Sequence, residues 1–234
     1  MNFESSSRRL GLLGGTFDPI HYGHLDAADA ARASLSLDEI VFIPAHDPPH
    51  RARDPRATAF HRFALAALAV DGRDGCQVSD MELVRGGPSY TADTLGALHA
   101  TGWDATQLFF VLGADAFADI ATWRAYPAVL DAAHFVVMAR PGTTIEAALA
   151  RTPDLRPRAC LASALEPSAP GAQTRILLVE APTRDVSSTL IRRRLAARES
   201  IDDLVPAAVA RHILAHHLYG AADHLHGEDP DDPN

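Results

Sequence analysis

Short apolar runs alternate with stretches of helical spacing along most of this chain, and that alternation limits its fold more than any other feature. Residues 9–14, 39–44, 76–80, 107–112, 134–139 and 175–179 read as strands. Glu39 to Pro44 (EIVFIP), Gln107 to Leu112 (QLFFVL) and His134 to Ala139 (HFVVMA) are largely apolar on both sides of the strand. Such strands need cover on both faces, which is the situation of a parallel sheet. Helical signals fill 22–35, 55–70, 91–100, the stretch after 112 to about 131, 188–198 and 206–217. Asp54–Pro55 reads as a cap followed by a first-turn proline, so the second helix is expected to open there. The pattern predicts an α/β fold, doubly wound around a parallel sheet with helices on both faces and helices at the C-terminal end. Ligands in such folds sit outside the carboxyl ends of the strands.

The 234 residues fit one large domain over 9–220. Segment 1–8 and the acidic tail 221–234 are expected to be disordered. The proline-interrupted stretch 151–173 reads as a surface insertion with a short helix at most. The longest apolar run, Phe63 to Val70, is too short to cross a bilayer. Arg8-Arg9 before Leu10 looks superficially like a twin-arginine export signal, but the apolar stretch stops at Gly14-Gly15. Two cysteines, Cys76 and Cys160, cannot build a disulfide framework, so a cytoplasmic location is expected. The net charge of −9 disfavours nucleic acid as a partner. Five acids of the tail carry much of that charge, so a local basic pocket remains compatible with it. Every basic residue is arginine. Without lysine the chain has no Walker-type phosphate loop and no lysine Schiff base.

The most informative stretch is Gly14-Gly15-Thr16-Phe17-Asp18-Pro19-Ile20-His21-Tyr22-Gly23-His24. It leaves the first strand and opens the first helix. Glycines allow close backbone approach to a ligand, and a helix start offers free amides to an anion. His21 and His24 share one face of that start, with Gly23 leaving it open. Alone, His-x-x-His also suits two surface histidines or a metal pair; the glycine turn before it favours an anion clamp. A second stretch is Val186-Ser187-Ser188-Thr189-Leu190-Ile191-Arg192. Helix capping accounts for its hydroxyls, and hydroxyls, free amides and Arg192 together would also hold a polyphosphate.

Taken together, G-G-T-F-D-P-x-H-x-G-H and S-S-T-x-x-R resemble the nucleotidyltransferase superfamily that carries the HxGH signature, a Rossmann-like group. Within it the chain resembles the bacterial nicotinate-mononucleotide adenylyltransferases. Pro48-Pro49-His50-Arg51, Asp80 to Leu83, Gly87 to Leu95, Leu112 to Asp115, Trp123, Arg140-Pro141-Gly142 and Leu204-Val205-Pro206 extend the match over about 10–219. The departures are Val186 where the family has isoleucine, and His46 and Arg51 where it has asparagine and lysine.

The resemblance implies adenylyl transfer from ATP to nicotinate mononucleotide, an NAD-biosynthetic step that releases pyrophosphate. It implies His21, His24 and Arg192 as catalytic residues. The ATP side would add Gly14, Gly15, Thr16, Phe17, Gly113, Asp115, Ser188 and Thr189. The mononucleotide side would take Gly15, Thr16, His50, Arg51, Ser89, Tyr90, Thr91, Trp123 and Arg140. Mg²⁺ would be bound mainly through the ATP phosphates rather than by protein ligands. No membrane partner is expected, and a homo-oligomer is compatible with the sequence. Sister enzymes acting on nicotinamide mononucleotide or pantetheine phosphate, a nucleotide-binding regulator on the same fold, and a hydrolase using His21, His24, His46 and His50 are the rival readings. Asp115 also suits a helix cap, Trp123 a core tryptophan and Arg140 a surface ion pair. His212, His216 and His217 read as a solvated helix face, and His224 and His226 as part of the tail.

Overall fold

A computed structural model describes residues 8–49, 55–138, 145–165 and 171–221. In chain order the elements are β1 (Leu10–Gly15), α1 (Tyr22–Leu35), β2 (Glu39–Pro44), α2 (Ala59–Val70), β3 (Cys76–Val78), α3 (Met81–Arg85), α4 (Thr91–Ala100) and β4 (Leu108–Gly113). There follow α5 (Ala114–Ala118), β5 (His134–Met138), α6 (Ile145–Ala150), β6 (Ala159–Leu161), β7 (Ile176–Val179), α7 (Ser188–Ala196) and α8 (Ala207–Ala215). The seven strands form one sheet in the order β3-β2-β1-β4-β5-β7-β6. Every pairing is parallel. The chain winds outward from β1 through β2 to β3, then restarts at β4 on the other side of β1. The β1–β4 boundary is therefore the switch point, where the crossover loops diverge and leave a crevice.

Successive strand residues point to opposite faces and feed two separate cores. Leu13, Phe109, Val111 and Val136 pack beneath α1, α2, α7 and α8 through Leu25, Leu65, Ile191 and Ile213. Leu12, Phe110, Leu112 and Phe135 pack on the other face beneath Leu95 of α4, Phe117 of α5 and Leu149 of α6. Coverage of both faces explains why these strands read as continuous apolar runs. Among the described residues no helix is long and apolar enough to cross a membrane.

The structure corrects several expectations. Helix α2 opens at Ala59, with the Thr58 hydroxyl accepting from His61 N–H at 3.3 Å. Pro55 lies ahead of the helix because the Asp18 carboxylate takes the N–H groups of Arg56 and Ala57, at 2.9 and 3.0 Å, outside a helix. Asp54 lies outside the described residues. The expected helix after 112 is only α5 followed by short 3₁₀ turns.

The described parts of 151–173 are built into the fold rather than appended to it, since β6 pairs with β7 as the edge strand. Arg158 anchors that piece, donating to Asp131 Oδ1 at 2.9 Å, Leu130 O at 2.8 Å and Thr174 Oγ1 at 2.7 Å. A three-residue strand leaves too little periodicity to be read from sequence. Within the segments expected to be disordered, Arg8 pairs with Glu39 at 2.9 Å and Ala221 is buried. Residues 1–7 and 222–234 lie outside the described residues. The histidines of α8 do not make a plain solvated face. His212 Nε2 lies 3.1 Å from His61 Nδ1 of α2, and His216 packs against both rings.

Candidate active site

The site grows from the carboxyl end of β1. Gly14 and Gly15 end the strand, and Thr16 to Ile20 turn the chain into α1. Phe17 folds back over the strand end and is 2% exposed. A Cβ on Gly15 would sit 2.9 Å from the Phe17 ring, so only glycine lets the turn close this tightly. The far side of that ring meets His24 edge-on at 5.1 Å.

His21 caps α1 in an extended conformation, and its backbone N–H donates to His24 Nδ1 at 3.2 Å. An accepting Nδ1 puts the proton of the neutral His24 ring on Nε2. The two imidazoles stack at 3.7 Å, inclined by 27°. Gly23 makes this possible, since a Cβ there would meet His21 Nδ1 at 3.1 Å and Arg184 O at 3.3 Å. The His-x-Gly-His spacing thus fixes one compact pair at a helix start.

The pair lines a cleft of about 160 Å³. The ends of β1, β4 and β5 form its floor through Leu13, Val111, Leu112 and Met138, and Gly113 and Asp115 form one side. Asp115 occupies the first turn of α5 and lines the cleft. The opposite side is the strap Thr183–Ser187. Arg184 holds the strap down with a two-pronged bond to Asp26 of α1, Nε to Oδ2 at 2.9 Å and Nη2 to Oδ1 at 2.8 Å. The Arg184 guanidinium also lies 3.9 Å from the Tyr22 ring centre. The hydrogen bond from Arg184 holds the Asp26 carboxyl below its ordinary range. Sequence reading missed this pair, because nothing local links residues so far apart in the chain.

The start of α7 grips the turn after β1. Ser187 caps the helix, accepting from Leu190 N–H at 3.1 Å. Ser188 Oγ donates to Pro19 O at 2.9 Å, and Arg192 donates to Asp18 O at 2.5 Å and Thr189 Oγ1 at 3.1 Å. The two sequence motifs therefore meet in space, and Ser187 lines the same cleft as His21 and His24. Capping is performed by Ser187, which leaves Ser188, Thr189 and Arg192 beside the turn.

Sequence reading also missed two buried charges that brace the turn. The Asp18 carboxylate is 1% exposed and accepts the two amides that precede α2. Arg62 of α2 is 1% exposed and donates to Thr16 O at 2.8 Å, His46 O at 3.0 Å and Ala57 O at 3.3 Å.

Ser89, Tyr90, Thr91 and Trp123 form a second group that does not line the cleft. Ser89 Oγ accepts from His46 N–H at 2.9 Å, and Tyr90 caps α4 just before Thr91. The Arg124 guanidinium lies 4.7 Å from the Tyr90 ring and pairs with Asp93 at 3.0 Å. Trp123 is half-buried against Phe110 and Phe135 of the second core. Gly15 and Thr16 do not line the cleft either. His50, Arg51 and Arg140 lie outside the described residues. Among the described residues no group of three or more His, Cys, Asp or Glu side chains is arranged to hold a metal ion.

Residues 12–194 match the family model described as cytidylyltransferase-like. A relative from Roseiflexus sp. (strain RS-1) named as a nicotinate-nucleotide adenylyltransferase is 41% identical over 214 residues, 92% of this chain and 99% of that protein. One of the same name from Desulfatibacillum aliphaticivorans is 40% identical over 217 residues, 90% of this chain and 99% of that protein. The chain belongs to the cytidylyltransferase-like family, among its nicotinate-nucleotide adenylyltransferases. The fold agrees. The Plasmodium falciparum nicotinic acid mononucleotide adenylyltransferase complexed with NaAD superimposes with a TM-score of 0.69 at 17% identity, covering 92% of this chain and 98% of that one. The same Plasmodium protein complexed with APC gives a TM-score of 0.67.

Proposed function

We propose that this family member joins nicotinate mononucleotide and ATP into nicotinate adenine dinucleotide and pyrophosphate. The observation that carries the reading is the meeting of the stacked His21–His24 pair with the start of α7 at the β1–β4 switch point. The Plasmodium protein of the same fold, complexed with NaAD and with APC, supports nucleotides as the ligands. The free cysteines Cys76 and Cys160 suit a reducing cytoplasm.

In this reading the mononucleotide phosphate attacks the α-phosphorus of ATP. A new P–O bond forms, the α–β bridging bond breaks, and pyrophosphate leaves with that electron pair. The attacking phosphate has a second pKa near ~6 and is already anionic at neutral pH, so no general base is required. The obstacle is repulsion between two anions that must meet in line, which leaves positioning and charge stabilisation as the work of the protein. His24 donates from Nε2 toward the ATP phosphates, and His21 stacks beside it as the second imidazole of the clamp. Arg192, with Ser188 and Thr189, holds the departing pyrophosphate. Gly14 and Phe17 shape the turn, and Gly113 and Asp115 take the adenosine side. Mg²⁺, bound mainly through the ATP phosphates, would neutralise part of their charge.

The mononucleotide side is Gly15, Thr16, Ser89, Tyr90, Thr91 and Trp123, with His50, Arg51 and Arg140 completing it. The amides at the start of α4 suit the ring carboxylate, and Trp123 offers a flat face to the pyridine. The test is pyrophosphate release by the purified protein with ATP and Mg²⁺, run in parallel with nicotinate and nicotinamide mononucleotides. Release with nicotinate mononucleotide at a tenfold or greater preference supports the reading. Equal release with both discards the carboxylate site, and no release with either overturns the activity.

A further inference from the structure

Strands β1 and β2 keep their ladder as far as the Ala45 N–H, which donates to Gly15 O at 2.8 Å. One residue further on, the two chains part. Thr16 O and His46 O then turn onto a single side chain, the Arg62 guanidinium, which also takes Ala57 O. Three carbonyls from three chain segments thus converge on one buried group. Only a planar fork with several fixed donors meets all three at once, and a lysine ammonium does not. From His46 the link continues, because its N–H donates to Ser89 Oγ and Asp47 O accepts from Ser89 N–H at 2.8 Å. A path of hydrogen bonds therefore runs from the Gly-Gly-Thr turn through Arg62 and His46 to the segment that opens α4.

We propose that Arg62 is a positioning residue for the mononucleotide: it sets the span between the Gly14–Gly15–Thr16 turn and Ser89–Tyr90–Thr91. This rests on the mononucleotide site proposed above. A ligand whose phosphate lies at the turn and whose ring lies at α4 needs that span held constant. Neither Thr16, His46 nor Ser89 lines the cleft beside His21 and His24, and the linked segment, Ser89 to Thr91, belongs to the mononucleotide side alone. Loss of the fork should therefore weaken one substrate and spare the other.

The experiment is steady-state pyrophosphate release by wild type, Arg62→Lys and Arg62→Gln, varying each substrate at saturation of the other, with a thermal melt of each protein. The expected result is a tenfold or greater rise in KM for nicotinate mononucleotide with KM for ATP changed less than threefold. A merely structural role lowers Tm and the active fraction, hence the apparent kcat, but leaves both KM values in place. Mononucleotide KM within twofold of wild type, or a parallel rise in both KM values, overturns the proposal. If neither variant folds, His46→Pro, which removes the N–H that Ser89 Oγ accepts and leaves Arg62 in place, decides, and an unchanged mononucleotide KM there overturns the proposal. The parent reading stands or falls on the wild-type reaction alone, whereas this inference stands or falls on the ratio of variant to wild type.

Discussion

His134 opens β5 at the amino edge of the sheet, the edge away from the cleft, and it is 1% exposed. Its Nδ1 accepts from Arg175 N–H at 2.9 Å, a Thr106 backbone group bonds the ring, and the imidazole stacks on Phe109 at 4.9 Å. Burial, helped by the charges of Arg9 and Arg175, pushes its pKa down from 6.5 to about 4. A histidine held neutral in the folded state costs stability as pH falls, because the unfolded chain takes the proton first. Above pH 6.5 the effect is absent. It grows as pH falls from 6.5 toward 4 and then levels off.

At pH 4.5 the loss relative to neutral pH comes to about 2.5 kcal/mol, from 1.36 kcal/mol per pKa unit. That is a large part of a total stability of about 5–15 kcal/mol. The perturbation is His134→Asn, which keeps an acceptor for Arg175 N–H and cannot titrate. Urea unfolding of both proteins at pH 7.5 and 4.5 is the assay. The wild-type midpoint should fall by on the order of 1 M more than that of the variant. Other titrating groups, including His212, contribute to both proteins and cancel in the comparison. Parallel losses in the two proteins would refute the reasoning, as would a variant with impaired turnover at pH 7.5.

Three further outcomes are expected. His24→Ala should lower kcat by about 10²–10³, the effect of removing one preorganised donor, with the thermal transition nearly unchanged; turnover within fivefold of wild type would remove His24 from the clamp. Asp26→Asn or Arg184→Ala should release the strap over α1 and raise KM for ATP about tenfold, read by initial rates, with KM for the mononucleotide little altered. Chelation with EDTA should abolish turnover and added Mg²⁺ restore it, with no change in Tm by calorimetry, the outcome that follows from the proposal that the metal enters with the nucleotide.

The alternation of strands and helices and the bounds of α1, β2 and α4 were legible in the residues. They were legible because each depends on neighbours within a few positions. Gly23 is the clearest case, since its lack of a Cβ is what lets the His21 ring lie against the helix start. Other features left no local trace. Asp54–Pro55 has every mark of a helix start, yet α2 opens later because Asp18, from another segment, claims the amides of Arg56 and Ala57. The three residues of β6 show no periodicity and become a strand only because β7 offers an open edge.

Arg62 shows the same division from the side of charge. Its sequence context, an alanine-rich helix, marks it as an ordinary helix residue, and its three acceptors are backbone carbonyls that carry no residue code. Asp26 and Arg184 are 158 positions apart and meet only because α1 and the strap pack on the same strand ends. Local pattern and residue type thus settled the architecture and the glycine turn that opens α1. How that turn is braced and where the strap is tied to α1 came from packing. Those contacts are between distant segments, and their partners are chosen by proximity in the fold rather than by spacing along the chain.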